Sequence, residues 1–182
     1  MKRIAFLLLF AFVVSACQRE TIFPPKTIVV AKTDTIPDTA LVRLELVKDS
    51  TISYQLGGWV EMMLQFDHRF HASFNNAEDS SPPGYNSNLN IMGVTTDGIP
   101  VMWDGVPYTP GMHIPMYVIT ATGHYLVKID LLKKVPADIN IWFKDKYLKD
   151  SVNLRKGNYS FDVNRADTNT FGKKRFEVIV RP

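Results

Sequence analysis

The side chains best able to do chemistry gather in one stretch, FDHRFHASFNNAEDSS, from Phe66 to Ser81. It holds Asp67, His68, His71, Asn75, Asn76, Glu78 and Asp79. Neutral imidazoles beside a carboxylate are ordinary metal ligands, and a metal held by Asp67, His68 and His71 would support a metal-assisted hydrolase. The alternation of the residues just before it argues against that site. If Phe66 faces a core, His68 and Phe70 continue its face, while Asp67, Arg69 and His71 point the other way. Two histidines three apart on extended chain diverge and meet only if the chain bends. The expectation is a loop of hydrogen-bonding histidines with no metal, and the hydrolase ranks last among the functional readings.

A second polar stretch, DVNRADTNT (162–170), carries Asp162, Asn164, Asp167 and Asn169. Oxygen-bearing side chains on every second residue suit calcium, but the turn glycine and the closing glutamate of a calcium loop are missing. A turn whose Asx side chains cap backbone groups is the expectation. His113 and His124 each begin a β-prone segment and are expected as cross-strand neighbours in one hairpin. No Gly-x-Ser-x-Gly elbow accompanies them. There is no phosphate-binding glycine loop, and no two carboxylates can be paired by spacing for glycoside hydrolysis. The sequence therefore names no catalytic residue, no metal ligand and no cofactor.

Trp59 and Trp142 carry a different kind of chemistry. By alternation Trp59 lies opposite Val60, Met62 and Leu64, and Trp142 lies opposite Ile141 and Phe143. Both are expected to face outward, where an aromatic ring can stack on a sugar or a protein partner.

Cys17 is the chain's single cysteine. It follows Lys2, Arg3, an uncharged apolar run over 4–14 and then Val14-Ser15-Ala16. That run is too short to span a bilayer, which needs about 20 apolar residues. It fits a secretory signal peptide over residues 1–16. The segment Val14-Ser15-Ala16-Cys17 resembles the lipobox of bacterial lipoproteins, which implies that the Cys17 thiol takes a diacylglycerol and its amine a further acyl chain such as palmitate. More than one chain anchors a protein stably to a membrane. With Cys17 lipidated, the rest of the chain has no thiol for a disulfide, a nucleophile or a metal ligand.

These residues need elements to position them. Residues 17–40, with Pro24, Pro25 and Pro37, read as a lipid-anchored tether, although Thr27 to Val30 is β-prone enough for an edge strand. A β-domain follows over 41–182. Period-2 alternation marks strands at 41–47, 59–66, 89–95, 99–103, 113–120, 124–131, 139–145, 158–164 and 175–180. Thr96-Asp97-Gly98, Asp104-Gly105 and Pro110-Gly111 read as turns, Ala121 to Gly123 as a short connection, and 144–150 as at most a single helical turn. No window sustains helical periodicity. Nine or ten short strands favour an all-β fold, an antiparallel β-sandwich of Greek-key or jelly-roll type.

The distal two thirds of the chain carry a resemblance. The pieces are Asp97-Gly98, Gly111 to Tyr117, Gly123-x-Tyr125, WFKDKYLKDS from Trp142 to Ser151, Asn158-Tyr159-x-Phe161, and Asn169-Thr170-Phe171-Gly172 followed by Arg175-Phe176. Together, over about 59–182, they resemble a β-sandwich segment of large Bacteroidetes surface proteins associated with type IX secretion. The resemblance implies a sandwich fold and a cell-surface context, here as a stand-alone, lipid-anchored copy, and no catalytic residues. Asp145 and Asp150, flanking Tyr147, suit a turn closed by side-chain-to-backbone bonds, and Gly172 a bend into the last strand.

Charge adds little. Of 21 basic residues, Lys2 and Arg3 belong to the signal, which leaves 19 against 18 acidic ones. No basic block suits a nucleic acid. The sequence thus suggests a non-enzymatic, lipid-anchored envelope module of the outer membrane, on either leaflet. Its expected partners are the membrane and an envelope protein, or else a glycan taken by Trp59 and Trp142.

Overall fold

A computed structural model describes residues 35–48, 58–81 and 89–182. Cys17, the signal peptide, the Thr27–Val30 patch and most of the tether lie outside the described residues. Among those described, the strands are β1 (Ala40–Lys48), β2 (Trp59–Phe66), β3 (Leu89–Val94), β4 (Pro100–Val101), β5 (Trp103–Val106), β6 (Met112–Thr120), β7 (Gly123–Lys133), β8 (Asn140–Asp145), β9 (Asp150–Asn153), β10 (Tyr159–Val163) and β11 (Gly172–Arg181). They form a five-stranded sheet in the order β10-β7-β1-β2-β5 and a six-stranded sheet in the order β4-β3-β6-β11-β8-β9. The fold is all-β, a sandwich of these two sheets.

The alternation that marks the strands also builds the core. Val42, Leu44 and Leu46 from β1, Met62, Leu64 and Phe66 from β2, and Tyr125 and Val127 from β7 meet Met116 and Val118 from β6, Ile141 and Phe143 from β8, and Phe176, Val178 and Val180 from β11 in one buried cluster. Each such side chain contributes about 1.5–3 kcal/mol by leaving water. One end is aromatic: the Phe143 ring lies 5.1 Å from Phe176 and 5.6 Å from Tyr159, and Phe161 lies 4.7 Å from Phe176.

Several connections differ from the sequence reading. The expected strand 99–103 divides at Met102, so that β4 pairs with β3 while β5 joins the other sheet. There β5 runs parallel to β2, from Met63↔Trp103 to Phe66↔Val106, whereas every other strand pair is antiparallel. Asp104-Gly105 is therefore not a turn but the middle of β5. Ala121 to Gly123 does not close a hairpin, because β6 and β7 belong to different sheets and the chain crosses between them. Thr96-Asp97-Gly98 does turn between β3 and β4. Gly98 takes a left-handed φ of 85°, and Asp97 Oδ1 accepts from Thr95 Oγ1 at 2.6 Å and from the Phe74 amide at 3.0 Å.

The folded part also begins earlier than Leu41. Ile36 belongs to the buried cluster, and the Thr39 amide donates to the Phe66 carbonyl at 2.8 Å. Pro37 masks the apolar residue before it in a composition scan, which is why 35–40 reads as tether.

Residues 146–149 form a turn rather than a helix, and β9 returns from it alongside β8. Asp145 closes that turn as expected: its Oδ1 accepts the Tyr147 and Leu148 amides at 2.9 and 3.1 Å. Its Oδ2 faces inward and takes Arg175 Nη2 at 2.7 Å, Arg175 Nε at 2.9 Å and the Tyr159 hydroxyl at 3.1 Å. Asp145 is fully buried and Arg175 nearly so. Removing one partner of a buried ion pair strands the other charge, so Arg175→Met should cost about 3–5 kcal/mol. Lys174→Met, one residue away and exposed, should stay within about 0.5 kcal/mol. Chemical denaturation of both variants checks this, and a similar small effect for the two would contradict it.

Candidate functional site

The loop after β2 is organised by its own carboxylates. Asp67 is buried, and its two oxygens take Arg69 Nε at 2.8 Å and Nη2 at 2.7 Å, with the Arg69 amide at 3.0 Å. The Arg69 guanidinium holds the Asp67 carboxyl well below the usual range. His68 turns to Asp38, with Nδ1 2.7 Å from Oδ2 and its amide 3.0 Å from Oδ1. His71 turns to Glu78 instead, with Nδ1 2.9 Å from Oε1 and its amide 2.7 Å from Oε2. Asn75 Nδ2 also donates to Glu78 at 2.9 Å. The two histidines thus go to different carboxylates, but not through alternation: the strand ends at Phe66 and the chain turns at 68–69, so that Asp67 is buried and His68 exposed, the reverse of the expected faces.

Asp38, Asp67 and His68 do place ligand-type atoms within 4.8 Å of one another. That donor set fits a divalent ion poorly. Arg69 already occupies both oxygens of Asp67, and a metal there would sit beside a fixed positive charge.

The other sequence candidates are also drawn apart. His113 pairs in register with Ile179, and its Nδ1 lies 3.4 Å from Glu177 Oε1. His124 pairs with Asp162, Nδ1 to Oδ1 at 2.8 Å. The two histidines stand in different sheets and are not neighbours, because the segment between them is a crossover. In the 162–170 stretch, Asn164 Oδ1 accepts the Ala166 amide and Asp167 Oδ1 the Asn169 amide, at 3.0 and 2.9 Å. These are the capping bonds expected of a polar turn, and Asp162 spends its carboxylate on His124.

Trp59 is exposed, on β2 of the five-stranded sheet. Trp142 is half-buried on β8 of the six-stranded sheet, with the Arg181 guanidinium carbon 5.1 Å from its ring centre. Both point outward, but from opposite sheets. One ligand cannot stack on both, so any contact through these rings is made singly.

The residue that the sequence reading missed is Asp104. In β5 it pairs with Leu64 and shares a face with Val106, so it points between the sheets. It is 1% exposed, and neither carboxylate oxygen has a hydrogen-bond partner among the described residues. Gly93 of β3 makes room for it, since a Cβ there would lie 2.6 Å from Asp104 Oδ2 and 2.7 Å from Met62 Cε. Burial, with the Asp79 charge second, pushes the Asp104 carboxyl up to about 7. Asp79 is itself committed, its oxygens accepting the Asn75 amide at 2.7 Å and the Gly105 amide at 2.9 Å. Asp104 forms part of the wall of a cavity of about 490 Å³, together with Val94, Thr95, Val106, Met112 and Ile114. The available signal was parity with Val106, but Asp-Gly also spells a turn.

Asp104 gives the fold a pH dependence. Between the ordinary carboxylate value of 3.8 and about 7, the folded protein keeps a proton that the unfolded chain has released. Its stabilising effect is full below the lower limit, declines as pH rises and is gone above the upper one. Asp104→Asn should remove that decline. Relative to the parent, the variant should gain up to a few kcal/mol between those limits. Unfolding free energies measured across that range would refute this if both proteins showed the same slope.

Comparisons of the chain with protein-family models, with curated proteins and with solved structures give no match.

Proposed function

We propose that the protein is a lipid-anchored module of a bacterial envelope, non-enzymatic, serving interaction or structure through its β-sandwich. The observation that carries this reading is Val14-Ser15-Ala16-Cys17 at the end of a basic-then-apolar leader, ahead of an all-β domain. The acyl chains on Cys17 hold the domain at the membrane, and the outer membrane is the site proposed. In this reading the chain carries a sandwich of the kind found in large Bacteroidetes surface proteins. The side chains singled out for catalysis support a structural role: His68, His71, His113 and His124 each serve a separate carboxylate.

A glycan-binding reading keeps one specific support, the exposure of Trp59 on the outer face of its sheet. Trp59→Ala and Trp142→Ala, assayed separately for glycan binding, distinguish it. A loss confined to Trp59→Ala favours that reading, and binding unchanged in both removes it.

The anchor is tested by Cys17→Ser. The variant should keep its leader and lose acylation, seen as an unprocessed mass and no incorporation of labelled palmitate. Processed, membrane-bound Cys17→Ser protein would overturn the proposal.

A further inference from the structure

We propose that the cavity beside Asp104 binds a small organic amine, with the ammonium group on the Asp104 carboxylate and the apolar body against Val94, Val106, Met112 and Ile114. This does not depend on the lipid anchor. It rests on a mismatch within the fold. Buried polar groups in native proteins are nearly always hydrogen-bonded, and each exception calls for an explanation. Asp104 is such an exception, 1% exposed with both oxygens unpartnered among the described residues. Nothing in its own sheet is placed to satisfy it, because its neighbours across the β5–β2 pairing and on its own strand are Leu64 and Val106. A leucine or valine at 104 would fill the same position without the desolvation cost of a carboxylate. What Asp104 offers that those residues cannot is an acceptor just behind the wall of a cavity, which an ammonium group reaches by displacing a wall side chain.

The cavity selects the class of ligand. Its volume, about 490 Å³, falls within the range of small-molecule sites. The wall is mostly apolar, with Ile114 and Val106 from the core, and its polar members besides Asp104 are threonines and His113. An apolar wall with one carboxylate matches an apolar body that carries one cation. In a low-dielectric site an ammonium–carboxylate hydrogen bond is about twice as strong as a neutral one. A divalent metal fits less well. Calcium or magnesium would want six or more oxygens, zinc would want further nitrogen or sulfur ligands beside His113, and Asp79, whose charge acts on Asp104, has both oxygens committed to the Asn75 and Gly105 amides. Thr95 Oγ1 is likewise occupied, donating to Asp97 Oδ1 at 2.6 Å. Anions are disfavoured by Asp104 and Asp79 together.

The close fit at Gly93 adds a second constraint. A Cβ at Gly93 would lie 2.6 Å from Asp104 Oδ2, so the carboxyl group occupies space that only a glycine leaves open.

The test uses the full chain in detergent micelles, with methionine methyl groups labelled with carbon-13. Met62 touches the Gly93–Asp104 contact and Met112 lines the cavity. Benzylammonium and benzyl alcohol, of nearly equal size, are titrated at a pH of about 8, where Asp104 is mostly ionised. Benzylammonium should shift the Met62 and Met112 methyl signals saturably, and benzyl alcohol should bind roughly tenfold or more weakly. In Asp104→Asn that preference should vanish, leaving the two probes within about threefold of each other. The absence of a saturable shift overturns the proposal, as does equal binding of the two probes by the parent protein or a preference that survives Asp104→Asn. The probe comparison on the parent protein stands even if the variant does not fold.

Discussion

The buried pair of Asp145 and Arg175 holds together one whole end of this sandwich. The carboxylate ends β8 and closes the turn into β9 through the Tyr147 and Leu148 amides. Its other oxygen takes the guanidinium from β11 and the Tyr159 hydroxyl from β10, which belongs to the opposite sheet. Arg175 uses its remaining donors on the Asp162 and Thr170 carbonyls, the first at 2.8 Å. A single ion pair thus joins both sheets, a turn and the polar loop before the last strand. The cost of burying two charges is offset only because nearly every donor and lone pair is used. The aromatic rings around it help, with the guanidinium carbon 4.5 Å from the Phe176 ring centre and 5.1 Å from that of Phe161. Tyr159, buried next to the Asp145 charge, has its hydroxyl pushed upward and stays a donor.

Asp104 is the counterpart that has not been completed. It and Asp145 are both buried aspartates on strands of the sandwich, yet one has five donors around it and the other has none among the described residues. The difference lies in what each faces. Asp145 looks across to an arginine on the neighbouring strand, whereas Asp104 looks at a glycine and a cavity. A completed network fixes the fold, and an incomplete one leaves an interaction to be made from outside. The same residue type therefore serves cohesion at one end and is receptive at the other.

How much of this was legible in the sequence follows from what alternation encodes. Period-2 patterning tells which face of a strand is wet, so most of the strands and the outward turn of Trp59 were readable, whereas the short strand β9 was not, and β5 was merged with β4. It does not tell which sheet a strand joins. The crossover at Ala121–Gly123, the division at Met102 and the parallel entry of β5 depend on long-range pairing, and all three were invisible. His113 and His124 were placed together for that reason. Asp104 was lost to a local signal, since Asp-Gly favours turns unless a glycine on the opposite strand makes room for the side chain. Arg175 falls between Lys174 and Phe176, and only the structure shows that it alone of the local cations turns inward. The Asp145 turn was readable because its bonds are local.

The entry of the chain into the sandwich and the Asp104 cavity share one piece of structure. Residues 107–111 join β5 to β6. Pro107 and Thr109 face the cavity, while the Tyr108 ring meets Phe66 edge-on at 6.0 Å. Tyr108 and Pro110 also line the cleft in which Ile36 and Asp38 sit, beside Asp67 and His68. The segment leading from the N-terminus thus packs through Ile36 in the core and the Asp38–His68 contact, on the other side of the connection whose Pro107 and Thr109 wall the cavity. Residues that alternate along a short connection face opposite ways, so packing the entry segment fixes Tyr108 and thereby fixes the backbone that carries Pro107 and Thr109. The Asp38–His68 pair, two members of the cluster of ligand-type atoms, is better understood as an exposed contact of that segment, whose buried fastening is Ile36.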